Sequence, residues 1–287
     1  MKGKTVVITG ANTGIGRETA VGLAEMGATV VLACRNRSKA AAAAHEVRTR
    51  SNHDDVHLVD LDLADLDSVR TCAAEVLDQW DRLDVLINNA GLQLKERTTT
   101  KQGFETTFGV NHLGHFYLTY LLLDRLRAAA PARIVNVSSV GHHFARAGLP
   151  WDDLQHDVSR YTPSGAYCES KLANLLFTRE LAQRLPPSEV TVNACHPGAV
   201  RSEFGSSEDM GKLYGTFMKA GAPFLISPKS GARTSIYLAS SPEVEGKTGG
   251  YYVRRKLRSG SKQSRDEQAA ARLWAVTEEL LASVGAR

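Results

Sequence analysis

The sequence predicts a doubly wound α/β fold, in which helices cover both faces of a parallel sheet of about seven strands. Short apolar runs rich in β-branched residues alternate with longer helical stretches along the chain, which is typical of β–α–β units. The predicted strands are apolar throughout, as strands buried on both faces of a sheet are. No repeat or linker divides the 287 residues, so one domain spanning residues 1–287 is expected.

The predicted elements follow one another in a regular order. The first strand, residues 5–9, leads into a helix over residues 14–26, which Gly27 ends because glycine readily adopts the left-handed conformation after a helix. A second strand covers residues 29–33, and Ser38 is a candidate N-cap for an alanine-rich helix reaching about residue 50. Further strands are predicted at residues 56–60, 85–88, 133–138 and 191–194. Further helices are predicted at residues 66–78, 104–129, 229–239 and 266–284.

The charge balance gives little reason to expect a nucleic-acid partner. The chain carries 35 basic and 31 acidic residues, a net charge of +4. Six Lys or Arg residues cluster in the twelve positions 254–265. We interpret this segment as a solvated loop, with an anion-binding or membrane-surface patch as the alternative.

The cysteines indicate that the protein resides in a reducing compartment, and the lengths of the apolar runs bear on membrane insertion. Four cysteines lie far apart without CxxC spacing, so buried thiols are expected and neither a disulfide framework nor a metal site is predicted. No apolar run reaches 18 residues, so no membrane span is predicted. The first strand begins by about residue 5, which leaves no room for a signal peptide, and a cytoplasmic location is expected.

A glycine-rich turn, TGANTGIG at residues 9–16, directly follows the first strand and opens the first helix. Gly10 permits a tight turn, Gly14 permits close approach of a pyrophosphate, and Gly16 permits close packing of helix on strand. The free N–H groups and the dipole at the helix start favour a negative charge there. The turn therefore predicts a dinucleotide site, with a plain strand–helix turn as the alternative.

The residue after the second strand indicates which dinucleotide is bound. An acidic residue near this position would bind the ribose 2′-hydroxyl of NAD. Here Arg35 follows Cys34 directly, and a cation suits the 2′-phosphate of NADP instead. NADP(H) is therefore the predicted cofactor, with an exposed loop arginine as the alternative interpretation.

Three polar residues form a candidate catalytic group. Tyr167 and Lys171 are four residues apart, so they project from one face of a helix. A free tyrosine has a pKa of about 10, and a neighbouring ammonium lowers it, which makes the phenol a usable acid or base. Ser139 follows the fifth strand, at the sheet edge where ligands of parallel sheets bind. His142 and His143 are interpreted as loop or pocket-wall residues rather than catalysts.

With these motifs in register, the sequence resembles the short-chain dehydrogenase/reductase family in its single-domain branch, which has a Rossmann-type fold. The matching motifs run in order across nearly the whole chain: Thr9-Gly10-x3-Gly14-Ile15-Gly16, Asp62-Leu63, Asn88-Asn89-Ala90-Gly91, Asn111, Ser138-Ser139, Tyr167-x3-Lys171 and Pro197-Gly198. The resemblance implies an enzyme that interconverts an alcohol and a carbonyl with a nicotinamide cofactor.

The resemblance also implies a role for each matching residue. Tyr167 is the implied acid/base, Lys171 lowers its pKa and holds the nicotinamide ribose, and Ser139 orients the substrate oxygen. Asn111 would hold a water that links Lys171 to solvent. The implied cofactor contacts are Gly10, Asn12, Thr13, Gly14, Ile15 and Gly16 in the turn, Arg35, Asp62 and Leu63 at the adenosine, Asn89, Ala90 and Gly91 after strand four, and Pro197 and Gly198 at the nicotinamide.

Several segments look closer to the retinol dehydrogenase-like branch of the family, among them NVSSVGHH at 136–143 and AYCESKLAN at 166–174. That branch acts on retinoids and other lipophilic alcohols or aldehydes, usually with NADP(H). An apolar segment at about residues 199–228 is the expected substrate lid. The resemblance further implies a homodimer or homotetramer.

Two other functions compete with this interpretation. A non-catalytic NADP(H)-binding regulator of the same fold would be expected to lack Ser139, Tyr167 or Lys171, and all three are present. An epimerase or dehydratase acting on nucleotide sugars shares Tyr-x3-Lys, but generally has Gly-x2-Gly-x2-Gly in its turn and a longer C-terminal region. This chain has neither feature.

Overall fold

The computed structural model describes residues 1–200 and 225–286 of the chain. These residues form one eight-stranded sheet in the order β3-β2-β1-β4-β5-β6-β7-β8, in which the first seven strands are parallel and β8 is antiparallel to β7. The strands are β1 (Thr5–Thr9), β2 (Thr29–Cys34), β3 (Val56–Asp60), β4 (Val85–Asn88), β5 (Ala132–Val137), β6 (Val190–His196), β7 (Tyr251–Val253) and β8 (Lys256–Arg258). The predicted doubly wound fold is confirmed.

Helices connect the strands within the described part of the chain. They are α1 (Gly14–Ala24), α2 (Arg37–Ser51), α3 (Leu66–Gln79), a single turn α4 (Thr106–Phe108), α5 (Gly114–Ala128), α6 (Pro163–Arg184), α7 (Pro228–Ser240) and α8 (Glu267–Ser283). The described sheet has eight strands, whereas the sequence predicted about seven. The difference arises at the β7–β8 hairpin, whose two strands have only three residues each. Strands this short carry too little alternation or apolar length for the sequence to reveal both of them.

The two faces of the sheet bury separate apolar layers, since successive strand side chains point to opposite faces. On β1, Val7 belongs to one layer, whereas Val6 and Ile8 belong to the other. Helices α1, α2 and α7 cover the second layer, and α3, α5, α6 and α8 cover the first. Burial on both faces explains why the parallel strands are apolar at every position.

The helix predicted as continuous over residues 104–129 is interrupted. A π-helical turn, Gly109–Leu113, separates α4 from α5. Gly109 begins this turn and Gly114 follows it, and both pack too closely against other segments to admit a side chain. A Cβ on Gly114 would lie 2.7 Å from the Leu63 carbonyl oxygen, and one on Gly109 would lie 2.5 Å from the Thr100 methyl. The wider turn carries Asn111, and π-helical turns occur frequently at functional sites.

The strand order reverses at β1, which lies between β2 and β4. The loops after β1 and β4 therefore diverge and leave a crevice at the carboxyl edge of the sheet, where ligands of open α/β sheets bind. None of the helices in the described ranges is long and apolar enough to cross a bilayer.

Candidate active site

A cleft of about 710 Å³ occupies the carboxyl edge of the sheet. Every residue that the sequence proposes for cofactor contact lines this cleft, and so does Ser139. These lining residues are Gly10, Asn12, Thr13, Gly14, Ile15, Gly16, Arg35, Asp62, Leu63, Asn89, Ala90, Gly91, Tyr167, Lys171, Pro197 and Gly198. Residues up to 188 positions apart in the chain are thus brought to one site by the parallel strands, whose ends meet at this edge.

The glycine-rich turn has a backbone that only glycine fits. Gly10 and Gly14 have positive φ angles of 64° and 55°. A Cβ on Gly16 would lie 2.5 Å from the Gly10 carbonyl oxygen, which is a severe overlap. The Thr13 side chain does not cap α1, so the first N–H groups of this helix remain available to an anion. The turn therefore fits a pyrophosphate.

Hydrogen bonds of the Asn89 and Thr9 side chains fix this turn to the loop after β4. The Asn89 side-chain amide donates to the carbonyl oxygens of Thr9 and Gly10 at 2.8 and 3.3 Å. The Thr9 hydroxyl oxygen accepts from the main-chain N–H groups of Asn89 and Ala90, both at 2.9 Å. The sequence indicated Asn89 as a cofactor-lining residue, whereas Thr9 received no separate role. The position of Thr9 directly before Gly10 was the sequence signal that could have indicated its role in supporting the turn.

The buried His115 extends this hydrogen-bond network. The Thr9 hydroxyl already accepts two N–H bonds, so its own hydrogen points to Nε2 of His115, 2.9 Å away. The other ring nitrogen, Nδ1, then donates to the Asn111 carbonyl oxygen at 3.1 Å. Complete burial lowers the pKa of His115 to about 4, which keeps the ring neutral, as these two hydrogen bonds require.

The adenosine end of the cleft is polar and exposed. Arg35 is exposed directly after β2 and lines the cleft. The neighbouring Arg37 instead pairs with Asp60 at 2.6 Å. Asp62 accepts a hydrogen bond from the Ala64 N–H at 2.9 Å, which holds the loop after β3 against the cleft. Arg35 and Asp62 therefore both line this end of the cleft, and their contacts with a cofactor stay predictions.

Tyr167 and Lys171 project together from α6 into the opposite end of the cleft. The Lys171 Nζ atom lies 5.6 Å from the centre of the Tyr167 ring. Lys171 is 3% exposed, and its Nζ donates to the Val137 carbonyl oxygen at 3.2 Å. Burial lowers the pKa of Lys171 to about 8. A positive charge held at the end of β5 in this way favours the phenolate form of a neighbouring tyrosine.

Asn111 lies behind the cleft rather than on its wall. Its side chain accepts from the Leu92 N–H at 2.8 Å and donates to the Leu92 carbonyl and the Ser170 hydroxyl, both at 2.9 Å. A Cβ on Gly91 would lie 3.2 Å from the Lys171 Nζ and 3.3 Å from the Asn111 Oδ1. Asn111 therefore fixes the loop after β4 beside Lys171, and its water relay stays a prediction.

The two serines after β5 have different environments. The Ser138 hydroxyl is buried and donates to the Lys171 carbonyl oxygen at 2.8 Å. Ser139 is partly exposed, and its hydroxyl oxygen accepts from the Gly141 N–H at 3.1 Å, which leaves its hydrogen for another partner. A Cβ on Gly141 would lie 3.4 Å from both the Ser139 Oγ and the Tyr167 Cε1. Ser139 and Tyr167 therefore flank one position.

His142 holds Ser139 from the side away from the cleft. Its Nε2 accepts from the Ser261 N–H at 3.1 Å, so the proton is on Nδ1, which donates to the Ser139 carbonyl oxygen at 2.6 Å. The ring is fully buried and packs edge-on against Tyr251. The sequence indicated a loop or pocket-wall residue at position 142, and no sequence signal indicated the hydrogen-bond partner of His142 119 residues away.

The predicted lid at about 199–228 lies largely outside the described residues, which end at 200 and resume at 225. Its two ends meet beside the cleft: Val200 and Ile226 form a parallel bridge, and the Ile226 N–H donates to the Ala199 carbonyl at 2.9 Å. Val200 and Leu225 line the cleft. The described ends of the predicted lid, up to Val200 and from Leu225 on, therefore lie together at the cleft.

Comparison with known proteins gives the following similarities. Residues 4–151 match the family model described as short chain dehydrogenase. Human retinol dehydrogenase 13 is 44% identical, over 97% of this chain and 85% of the relative. Human retinol dehydrogenase 12 is 47% identical, over 98% of this chain and 87% of the relative. A crystal structure of an uncharacterized protein from Mycobacterium paratuberculosis superposes with a TM-score of 0.76 at 38% identity, covering 97% of this chain and 93% of that one.

Proposed function

The chain belongs to the short-chain dehydrogenase family of oxidoreductases, and on this basis we propose that it transfers a hydride between NADP(H) and a lipophilic alcohol, aldehyde or ketone. The family resemblance expected from the sequence motifs is thereby confirmed. One observation carries the proposal: Ser139, Tyr167 and Lys171 meet at the end of the same cleft that the glycine-rich turn opens.

The cleft residues fit NADP(H) in chemistry and in shape. The turn from Gly10 to Gly16 would hold the pyrophosphate, because its N–H groups and glycines admit an anion at close range. Arg35 would hold the 2′-phosphate, for which a guanidinium is a suitable partner. Asp62 and Leu63 would contact the adenine, and Lys171 would hold the nicotinamide ribose. Bound NADP(H) supplies or accepts the hydride.

The proton is handled by the chain's own residues. In reduction, the Tyr167 hydroxyl gives its proton to the substrate oxygen, and in oxidation the phenolate takes the proton from the alcohol. The Lys171 ammonium, 5.6 Å from the Tyr167 ring centre, stabilises the phenolate. The Ser139 hydroxyl donates a hydrogen bond to the same substrate oxygen and polarises it. His142 holds the main chain of Ser139, and Asn111 holds the loop after β4 beside Lys171, through the hydrogen bonds described above.

An apolar substrate is supported at the catalytic end of the cleft. Val140 lines the cleft and is 47% exposed. An exposed apolar side chain in a ligand cleft favours an apolar ligand, which would cover it. Two human relatives that are 44% and 47% identical to this chain are named retinol dehydrogenases. We therefore propose retinoid-like alcohols and aldehydes as the substrate class.

A cofactor and substrate screen tests this proposal. Purified protein should oxidise NADPH faster than NADH in the presence of retinal, a steroid ketone or a medium-chain aldehyde, and should reduce NADP⁺ with the corresponding alcohols. NADPH binding without turnover of any substrate would favour the non-catalytic regulator instead. Turnover with NADH alone would contradict the cofactor assignment but leave the family assignment intact.

The remaining expectations extend the same proposal. We propose a single catalytic domain, a cytoplasmic enzyme and a homodimer or homotetramer. Tyr120 on α5 is 41% exposed, and an exposed aromatic residue on this helix supports a subunit contact there. Light scattering of the purified protein, with Tyr120→Glu as the comparison, tests the oligomeric state. A monomer at all concentrations would contradict this part of the proposal.

A further inference from the structure

The segment Arg254–Arg265, here called the basic segment, is an unusual part of the surface. It contains six cations and no acidic residue: Arg254, Arg255, Lys256, Arg258, Lys262 and Arg265. All six are exposed. Within residues 1–200 and 225–286, no carboxylate lies at ion-pair distance from any of them. Several other surface arginines face carboxylates, as in the pairs Arg50–Glu18 at 2.6 Å and Arg127–Glu189 at 2.8 Å.

The turn of the β7–β8 hairpin carries two of these cations in a disfavoured conformation. Arg254 and Arg255 have φ angles of 51° and 63°, in the left-handed region. A two-residue hairpin turn with both φ angles positive strongly prefers Asn-Gly, because other side chains are disfavoured there. Arginine at both positions does not favour the turn, so we infer that the two positive charges serve another role.

An apolar side chain lies among the cations. Leu257, between Lys256 and Arg258 on the exposed strand β8, is 63% exposed. Phe144, also exposed, ends the helical turn Val140–Phe144, and two hydrogen bonds join this turn and the nearby Arg146 to the basic segment. The Ser261 N–H donates to His142 at 3.1 Å, and the Gln263 side chain donates to the Arg146 carbonyl. The surface therefore combines exposed apolar side chains with cations that have no ion pair among the described residues.

A cavity of about 480 Å³ lies between the basic segment and α6. Its described lining includes Arg179, Arg258 and Arg265 and contains no carboxylate. Arg179 has a loose ion pair with Glu267 at 3.6 Å. Three guanidinium groups around one recess attract a phosphate group, with which arginine forms charge-assisted hydrogen bonds.

The basic segment also borders the mouth of the active-site cleft. Strands β6 and β7 end together, with Val253 beside His196, and His196 lines the cleft. The Arg254–Arg255 turn follows directly at this carboxyl edge. Val140, half exposed at the cleft, accordingly lies on the side of the molecule that carries the basic segment: its N–H donates to His196 at 3.3 Å.

We propose that the basic segment is a docking surface for an anionic phospholipid bilayer. The cations bind the negative headgroups, Leu257 and Phe144 enter the interfacial region, and the arginine-lined cavity receives a headgroup phosphate. A nucleic acid would match the charge but would leave Leu257 and Phe144 unused. Docking in this orientation places the cleft mouth beside the bilayer. The inference does not depend on the proposed reaction.

Vesicle co-sedimentation tests the proposal on the full-length protein. Vesicles of phosphatidylcholine with roughly one-third phosphatidylserine should bind the wild type, and pure phosphatidylcholine should not. Arg254→Glu/Arg255→Glu should weaken this binding at least about tenfold, since each basic residue near an anionic surface contributes substantially. Leu257→Asp should weaken it by roughly fivefold. Raising the salt concentration should release the wild type, because the charges are exposed.

A charge-matched control distinguishes the effect of this surface from the effect of the protein's net charge. Lys2→Glu/Arg127→Glu reverses two exposed cations that precede strands β1 and β5, at the opposite edge and outside the cavity lining, and should bind vesicles as the wild type does. Unchanged urea unfolding midpoints would establish that all variants fold. Equal binding to both vesicle types, equal losses in the two double variants, or tighter binding to duplex DNA than to vesicles would overturn the proposal. So would a hairpin-dependent dimer that binds no vesicles.

Discussion

The Ser138 hydroxyl donates a 2.8 Å hydrogen bond to the main-chain carbonyl of Lys171, one turn beyond Tyr167 on α6. The bond ties the end of β5 to the helix that carries the two candidate catalytic side chains. Because successive residues of an extended chain point to opposite sides, Ser139 then faces the cleft. The structure thus gives the two serines separate tasks, which substitution can distinguish.

Ser139→Ala and Ser138→Ala should fail in different ways. Ser139→Ala removes a donor to the reacting oxygen and should lower kcat/KM by about a hundredfold with little loss of stability. Ser138→Ala removes a buried hydrogen bond and should lower the free energy of unfolding by about 1–3 kcal/mol. Steady-state kinetics and urea unfolding of both variants measure this split. The reverse pattern would show that the serine assignment is wrong.

Tyr167→Phe should bind NADPH but lose turnover by at least about a hundredfold, since it removes the acid/base group and keeps the ring. Tyr161→Phe is a matched control. The Tyr161 hydroxyl bonds the Thr107 hydroxyl and the Leu94 carbonyl at 3.2 Å, outside the catalytic group. Fluorescence titration with NADPH and single-turnover kinetics provide the two measurements. Near-normal turnover in Tyr167→Phe would contradict the proposed mechanism.

Arg35→Asp should weaken NADPH far more than NADH, by at least about tenfold in the ratio of the two dissociation constants. Only NADPH carries the 2′-phosphate that the guanidinium would bind. Arg37→Asp serves as the comparison, because Arg37 is paired with Asp60. Calorimetric titrations with both cofactors give the ratio. Equal weakening of both cofactors by Arg35→Asp would remove the argument for NADP(H).

The protein should lose stability in mild acid because of His115. Its folded pKa of about 4 lies below the ordinary histidine value of 6.5, so the unfolded chain binds more protons between these values. The contribution is therefore fully present above about pH 6.5 and is lost as the pH falls towards 4, by about 3 kcal/mol.

Urea unfolding at pH 7.0 and 4.5 measures this loss. His115→Gln does not titrate in this range, and should lose less stability between the two pH values than the wild type does. His112, also fully buried, has its pKa lowered to about 3 by burial and remains in the variant, so some acid sensitivity should persist. The same loss in variant and wild type would exclude His115 as a cause.

Much of the site was predictable because its signals are local. The bounds predicted for β1, β3 and β4 agree with the structure, and the glycine-rich turn and the Tyr167–Lys171 pair lie on the expected turn and helix. The β7–β8 hairpin and the π-helical turn at Asn111 were not predicted. Three-residue strands give no periodic signal, and the break in the helix depends on the close approach of Gly114 to Leu63 from another part of the chain.

The sequence by itself determined the fold class and the family, and it located the glycine-rich turn and the proposed catalytic residues, because apolar periodicity and short motifs act within a few residues. Only the tertiary structure decided which side chains support that group. Asn111 binds Leu92 and Ser170, Asn89 braces Gly10, and His142 joins Ser139 to Ser261. Apart from Ser139, which is three residues from His142, these partners lie 19 to 119 residues apart in the chain. Each buried polar group takes whichever donor or acceptor the packed sheet and helices bring within reach.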